Sequence, residues 1–180
     1  MRFHMGRVLS IMALAALTAL PASAGNLRIF GAYLDSGDVG SFTGAGVKYA
    51  SSNNLGWEFG VTAYLDSDDF NFSDLDFGGN TVDNTAWDLG FRASASEIFY
   101  VCAGVSYFQF DADYGDIDDE WGFYGTLGAS FGGDTFRFFV EAMYRYVDAT
   151  IKFENLDLVQ ESVDLDIGGF GANAGLEWRF

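Results

Sequence analysis

A chain of 180 residues with 26 acidic and nine basic side chains carries a formal charge of −17, which excludes nucleic acid as a partner, because phosphate binding needs clustered Lys and Arg. A hydrophobic content of 49%, with 18% aromatics, is too high for a disordered acidic tail. The single cysteine, Cys102, has no partner for an internal disulfide. In an exported chain it is a small hydrophobe, either buried or facing lipid.

The first element is a leader. Arg2 and Arg7 give a positive start, residues 8–20 are almost wholly apolar, and Pro21 leads into Ala22, Ser23 and Ala24. This is the layout of a signal peptide with small residues before the cut. The apolar run falls short of the roughly 20 residues a spanning helix needs. Residues 1–24 are therefore assigned as a cleaved signal peptide and 25–180 as one domain, with Gly25 the first mature residue. Cleavage removes Pro21 and His4, the only proline and histidine, and leaves seven basic against 26 acidic residues, a charge of −19.

From Asn26 onward apolar and polar residues alternate with period two, and no stretch keeps a helical period. In chain order, Leu27, Ile29 and Tyr33 oppose Arg28, and Ala45, Val47 and Tyr49 oppose Gly44, Gly46 and Lys48. The clearest strand, 55–65, sets Trp57, Phe59 and Val61 against Glu58, Gly60 and Thr62. Over 86–94, Trp87, Leu89 and Phe91 oppose Asp88, Gly90 and Arg92. Residues 98–110 are apolar on both faces, so the facing of Cys102 stays open. Over 121–132, Trp121, Phe123 and Leu127 oppose Tyr124, Thr126 and Ser130. Next, Phe136, Phe138 and Val140 oppose Arg137, Phe139 and Glu141. The last strand, 170–180, puts Leu176, Trp178 and Phe180 on one face and Glu177 and Arg179 on the other. Eight strands result, an even number that suits a single-chain bacterial membrane barrel.

The links between strands alternate in length. Short ones (51–54, 95–97, 133–134) follow long ones (35–41, 66–85, 111–120, 147–166). Transmembrane barrels carry short periplasmic turns and longer outer loops in this way.

Volume decides which face is inside. An eight-stranded barrel has room only for side chains that fill it. The oily face carries Trp57, Trp87, Trp121, Trp178 and many other aromatics, whereas the polar face is rich in glycine, including Gly44, Gly46, Gly60, Gly90, Gly122, Gly128 and Gly175. The small residues belong in the lumen and the aromatics face lipid in a belt. Six of the seven mature basic residues share the inward parity: Arg28, Lys48, Arg92, Arg137, Arg145 and Arg179. Lys152 falls in a long loop. Glu58, Asp88, Glu141 and Glu177 are inward too. Buried charges are tolerable only when paired, so the ten are expected to form one ion-pair network that plugs the barrel.

The leader, the eight alternating strands, the short turns opposite long loops and the ending Leu176, Trp178, Phe180 together resemble the small outer-membrane barrels of the OmpA/OmpX type. The resemblance implies an all-β, up-and-down, eight-stranded transmembrane barrel in a Gram-negative type of outer membrane. It also implies that Leu176, Trp178 and Phe180 form an assembly signal read by the outer-membrane assembly machinery. Lipid and lipopolysaccharide are the expected surroundings and the chain is expected to be a monomer.

Barrel enzymes that the resemblance brings to mind, lipid A acylases and deacylases and omptin-like proteases, depend on a histidine, and the mature chain has none. The run Asp66, Asp68, Asp69 is a solvated loop face, so no catalytic residue is assigned. No cofactor is expected. The candidate cation site is Asp111, Asp113, Asp116 and Asp118, which crowd the oxygens that calcium prefers but depart from the EF-hand spacing. Carriage of apolar ligands of the OmpW type does not suit a lumen holding Arg28, Glu58, Arg92, Glu141 and Arg145. A structural or surface-interaction role is expected, with 66–85 and its Phe70, Phe72, Leu75 and Phe77 as the leading contact surface. A narrow pore, or a surface protein that binds divalent cations, is the alternative.

Overall fold

The computed structural model describes residues 25–36, 40–51, 54–66, 82–112, 116–117, 120–153 and 161–180. Residues 1–24, where a signal peptide is expected, and Asp113, Asp118, Phe70, Phe72, Leu75 and Phe77 lie outside this set. So do the side chains of Asp111 and Asp116, which leaves the candidate cation site undescribed.

The strands are β1 (Gly25–Asp35), β2 (Ser41–Ser51), β3 (Leu55–Asp66), β4 (Val82–Ser94), β5 (Phe99–Ala112), β6 (Asp116–Ile117), β7 (Glu120–Gly132), β8 (Phe136–Phe153), β9 (Glu161–Asp166) and β10 (Gly169–Arg179). Eight form the wall in the order β1, β2, β3, β4, β5, β7, β8, β10, every neighbour antiparallel, and β10 returns to pair with β1. The closure leaves the barrel without an open sheet edge, the condition for strands to sit in hydrocarbon. At the seam Phe180 N–H donates to the Gly25 carbonyl at 3.1 Å and Gly25 N–H to the Phe180 carbonyl at 3.0 Å. Following paired residues round the wall from Asn26 leads to Gly169, which sits beside the Phe170–Asp35 pair and so opposite position 36. A stagger of ten positions tilts the strands across the barrel axis.

Tight turns set the register. At the β7–β8 turn Gly132 has φ 138°, a conformation that L side chains rarely adopt, and this lets the chain reverse within three residues. The wall then alternates, most regularly in β8. Along β8, Arg137, Phe139, Glu141, Met143, Arg145 and Val147 are buried while Phe136, Phe138, Val140, Tyr144 and Tyr146 are exposed. The outward face of all eight strands is a continuous apolar band, with Phe91 reaching 75% exposure. Such an area on a water-soluble barrel would drive association, whereas a lipid-facing surface requires it.

The tryptophans occupy two levels. Near the short turns, Trp57 packs on Tyr49, and Trp178 packs on Phe136 and Phe180. Towards the long loops, Trp121 packs on Tyr107 and Trp87 on Phe59, with the Trp87 indole donating to Gln109 at 2.9 Å. Two levels therefore replace the single belt expected, the arrangement of transmembrane barrels, whose apolar band is flanked by an aromatic girdle at each of two interfaces.

Several boundaries also move. β4 begins at Val82, so the second long link shrinks to 67–81. β8 runs to Phe153 and pairs with β9, turning the expected loop 147–166 into a hairpin that rises beyond the wall. β6, inside the expected loop 111–120, pairs with the other edge of β8. Lys152 is therefore on a strand, opposite Asp116 and Ser162, and not in a loop. Backbone pairing continues where the apolar alternation fades, since the ladder itself needs no buried face.

Candidate functional site

Among the described residues, the buried charged and polar side chains gather in the lumen. Its short-turn half is ionic. Arg28, on β1, donates through Nε and Nη2 to Glu177 Oε2 at 2.8 and 2.6 Å, and through Nη1 to Glu141 Oε1 at 3.0 Å. Lys48, on β2, reaches Glu141 Oε2 at 2.8 Å. Because β8 lies across the barrel from β2, the Lys48–Glu141 pair crosses the lumen. Tyr100 and Asn173 donate to the same carboxylate at 3.0 and 2.8 Å, so Glu141 joins four strands. Glu177 accepts in addition from Ser130 at 3.2 Å and Arg179 at 2.6 Å.

Glu58 completes the group differently. Its oxygens stand 3.5 Å from Arg28 Nη1 and from Lys48 Nζ, and neither accepts a hydrogen bond from the described residues although the side chain is buried. A wholly buried carboxylate between two cations is held by Coulomb attraction more than by directional bonds.

A second cluster lies further towards the loops. Arg145 Nη1 and Nη2 grip Asp88 Oδ1 and Oδ2 at 2.7 Å each, a bidentate pair that fixes both partners. Ser106 donates to Asp88 at 2.6 Å and accepts from Arg145 at 2.7 Å. The Arg145 guanidinium is surrounded by the rings of Tyr64, Phe108 and Tyr124, with centroids 5.4 to 5.9 Å away. Cys102, whose facing the sequence leaves open, points inward, its Sγ 3.5 Å from the Tyr124 hydroxyl.

The expectation of one ion-pair network is corrected in two respects. The carboxylates form separate groups, and two cations stay outside both. Arg92 makes no ion pair among the described residues; its guanidinium lies over the Tyr100 ring at 3.8 Å, sharing that ring with Arg28. Arg137 donates from Nη1 to the Glu97 carbonyl at 2.7 Å. The physical reason is number. Six cations face four carboxylates, and Glu141 and Glu177 already hold several partners each.

An apolar layer that the polar parity did not suggest fills the rest of the lumen. Phe30, Leu34, Phe42, Tyr64, Phe108, Phe139, Met143 and Val147 form one buried cluster, capped by Ile167. Glycine makes room for it. Phe30 stands directly across from Gly46, and Tyr100 from Gly128, where a Cβ would overlap the tyrosine ring. Among the described residues no three His, Cys, Asp or Glu side chains are placed to hold a metal ion.

No protein-family model matches the chain, and no curated protein matches it in sequence. Solved structures do. The chain superposes on the outer membrane protein OprG from Pseudomonas aeruginosa with a TM-score of 0.67 at 17% identity, over 88% of this chain and 96% of that one. The fold is that of the small outer-membrane β-barrels. The outer membrane protein AlkL gives a TM-score of 0.62 at 17% identity, over 90% and 92% of the two chains. Neisserial surface protein A gives 0.55 at 14%, over 87% and 96%. The eight-stranded OmpA/OmpX-type architecture expected from the sequence is the architecture found. At these identities the likeness is one of fold.

Proposed function

We propose that this protein is a non-catalytic, integral outer-membrane barrel whose lumen is closed to solutes and whose loop end carries a structural or surface-interaction role. The observation that carries this reading is the contact of Lys48 with Glu141 across the lumen, at 2.8 Å, beneath a packed cluster that includes Phe42, Tyr64 and Phe108. An eight-stranded barrel has no space to spare beside such a fill. The fold shared with outer-membrane proteins and the apolar outer face support the location, and the leader 1–24 supplies the route of export.

Reconstitution into a planar bilayer tests closure. The expected result is a flat current at all moderate voltages. Stable, discrete openings would replace this reading with a narrow pore.

The proposed assembly signal has its own test. Phe180 is exposed on the apolar face and ends the seam. Phe180→Ala is expected to reduce the amount of barrel assembled in cells severalfold, while protein refolded in detergent unfolds at nearly the same denaturant concentration. Equal loss in both settings would make Phe180 a packing residue and nothing more.

A further inference from the structure

The interior charges can be matched one by one. Asp88 is taken by Arg145. Glu58, Glu141 and Glu177 are shared by Arg28, Lys48 and Arg179. Arg92 and Arg137 are left over, and both are deeply buried, at 5% and 8% exposure. Among the described residues, Arg92 Nε and Nη1 and Arg137 Nε have no hydrogen-bond partner. A buried guanidinium with idle donors and no anion is costly, and the cost falls when an anion from outside takes those donors.

The two arginines share one end of the barrel. Arg92 is the last inward residue but one on β4, opposite Gly56 near the start of β3, and Arg137 is the first inward residue of β8. Arg137 extends to the β4–β5 turn, where it meets the Glu97 carbonyl, so it leans towards the strand that carries Arg92. This is the short-turn mouth, which faces the periplasm in the proposed orientation. The apolar layer closes the other side of the lumen.

We propose that the short-turn mouth is a binding site for a small oxyanion, held by Arg92 and Arg137. Guanidinium donors suit oxyanions because phosphate-like and carboxylate groups offer several acceptor oxygens, whereas a halide is a point charge. Arg179 is excluded from the site because Glu177 already holds its Nε at 2.6 Å. The site goes beyond the closed-barrel reading and does not depend on it, since an anion can occupy the mouth of a sealed lumen.

The test uses the refolded mature barrel in detergent micelles, labelled at arginine with 15N and titrated with sodium phosphate against sodium chloride at equal ionic strength. Phosphate is expected to move the Nε–H resonances of Arg92 and Arg137 saturably, with chloride leaving them nearly in place. Arg137→Gln should weaken half-saturation at Arg92 about tenfold, the effect of losing one charge-assisted hydrogen bond. Arg179→Gln should leave it unchanged. The wild-type titration keeps the proposal testable if a variant fails to fold. Two outcomes overturn it: resonances that ignore phosphate, as when water bridges Arg92 to Glu58, or equal shifts with both salts, which would mean screening alone.

Discussion

Glu141→Ala is expected to lower the unfolding free energy of the refolded barrel by about 3–5 kcal/mol, the usual consequence of removing one partner from a buried charged group. Glu141 accepts from Arg28, Lys48, Tyr100 and Asn173, so its loss leaves the wholly buried Lys48 without its nearest anion, takes from Arg28 one of its two hydrogen-bonded carboxylates and releases contacts on four strands. Denaturant unfolding in lipid vesicles, followed by tryptophan fluorescence, measures it. The double variant Lys48→Met with Glu141→Leu should recover part of the loss, because replacing a buried pair by apolar side chains is often neutral or better. A loss below about 1 kcal/mol for Glu141→Ala would place the carboxylate in water, at the value of an exposed pair.

How much of this was written in the sequence depends on the residue. The facing of Arg28, Lys48, Glu58, Asp88, Glu141 and Glu177 follows from period two alone, since each sits between outward apolar neighbours. Their pairings do not, because barrel closure decides which strands look at each other across the lumen. The excess of Arg92 and Arg137 could have been counted from the sequence, six cations to four carboxylates, but not located. The apolar layer was hidden for a different reason. Phe30 and Phe139 lie on the parity read as polar, Phe108 lies in the strand that is apolar on both faces, and alternation offers no signal there. The same ambiguity concealed Cys102. A signal did exist in the glycines, since Gly46 and Gly128 each mark the seat of a large ring directly opposite, Phe30 and Tyr100. Using it would have required the strand register first.

Val140→Arg is expected to destabilise the barrel by about 2–4 kcal/mol in lipid vesicles, the cost of an arginine facing lipid at the midplane. The position is chosen by the girdles. On β8 and β10 the Phe136–Trp178 pair marks the short-turn level and Tyr144–Phe170 the loop level, and Val140 lies midway, opposite Ala174. Its side chain is half exposed and meets no lumen group, so a larger residue there displaces nothing inside. The effect therefore reports the surroundings of the outer face and not packing. Thr135→Arg, in the exposed β7–β8 turn, should cost no more than about 1 kcal/mol in the same vesicles, since the penalty fades towards the interface. Equal small effects at both positions would mean that the apolar face does not meet hydrocarbon. The membrane reading would then fail even though the barrel itself, closed by the β1–β10 seam, remained intact.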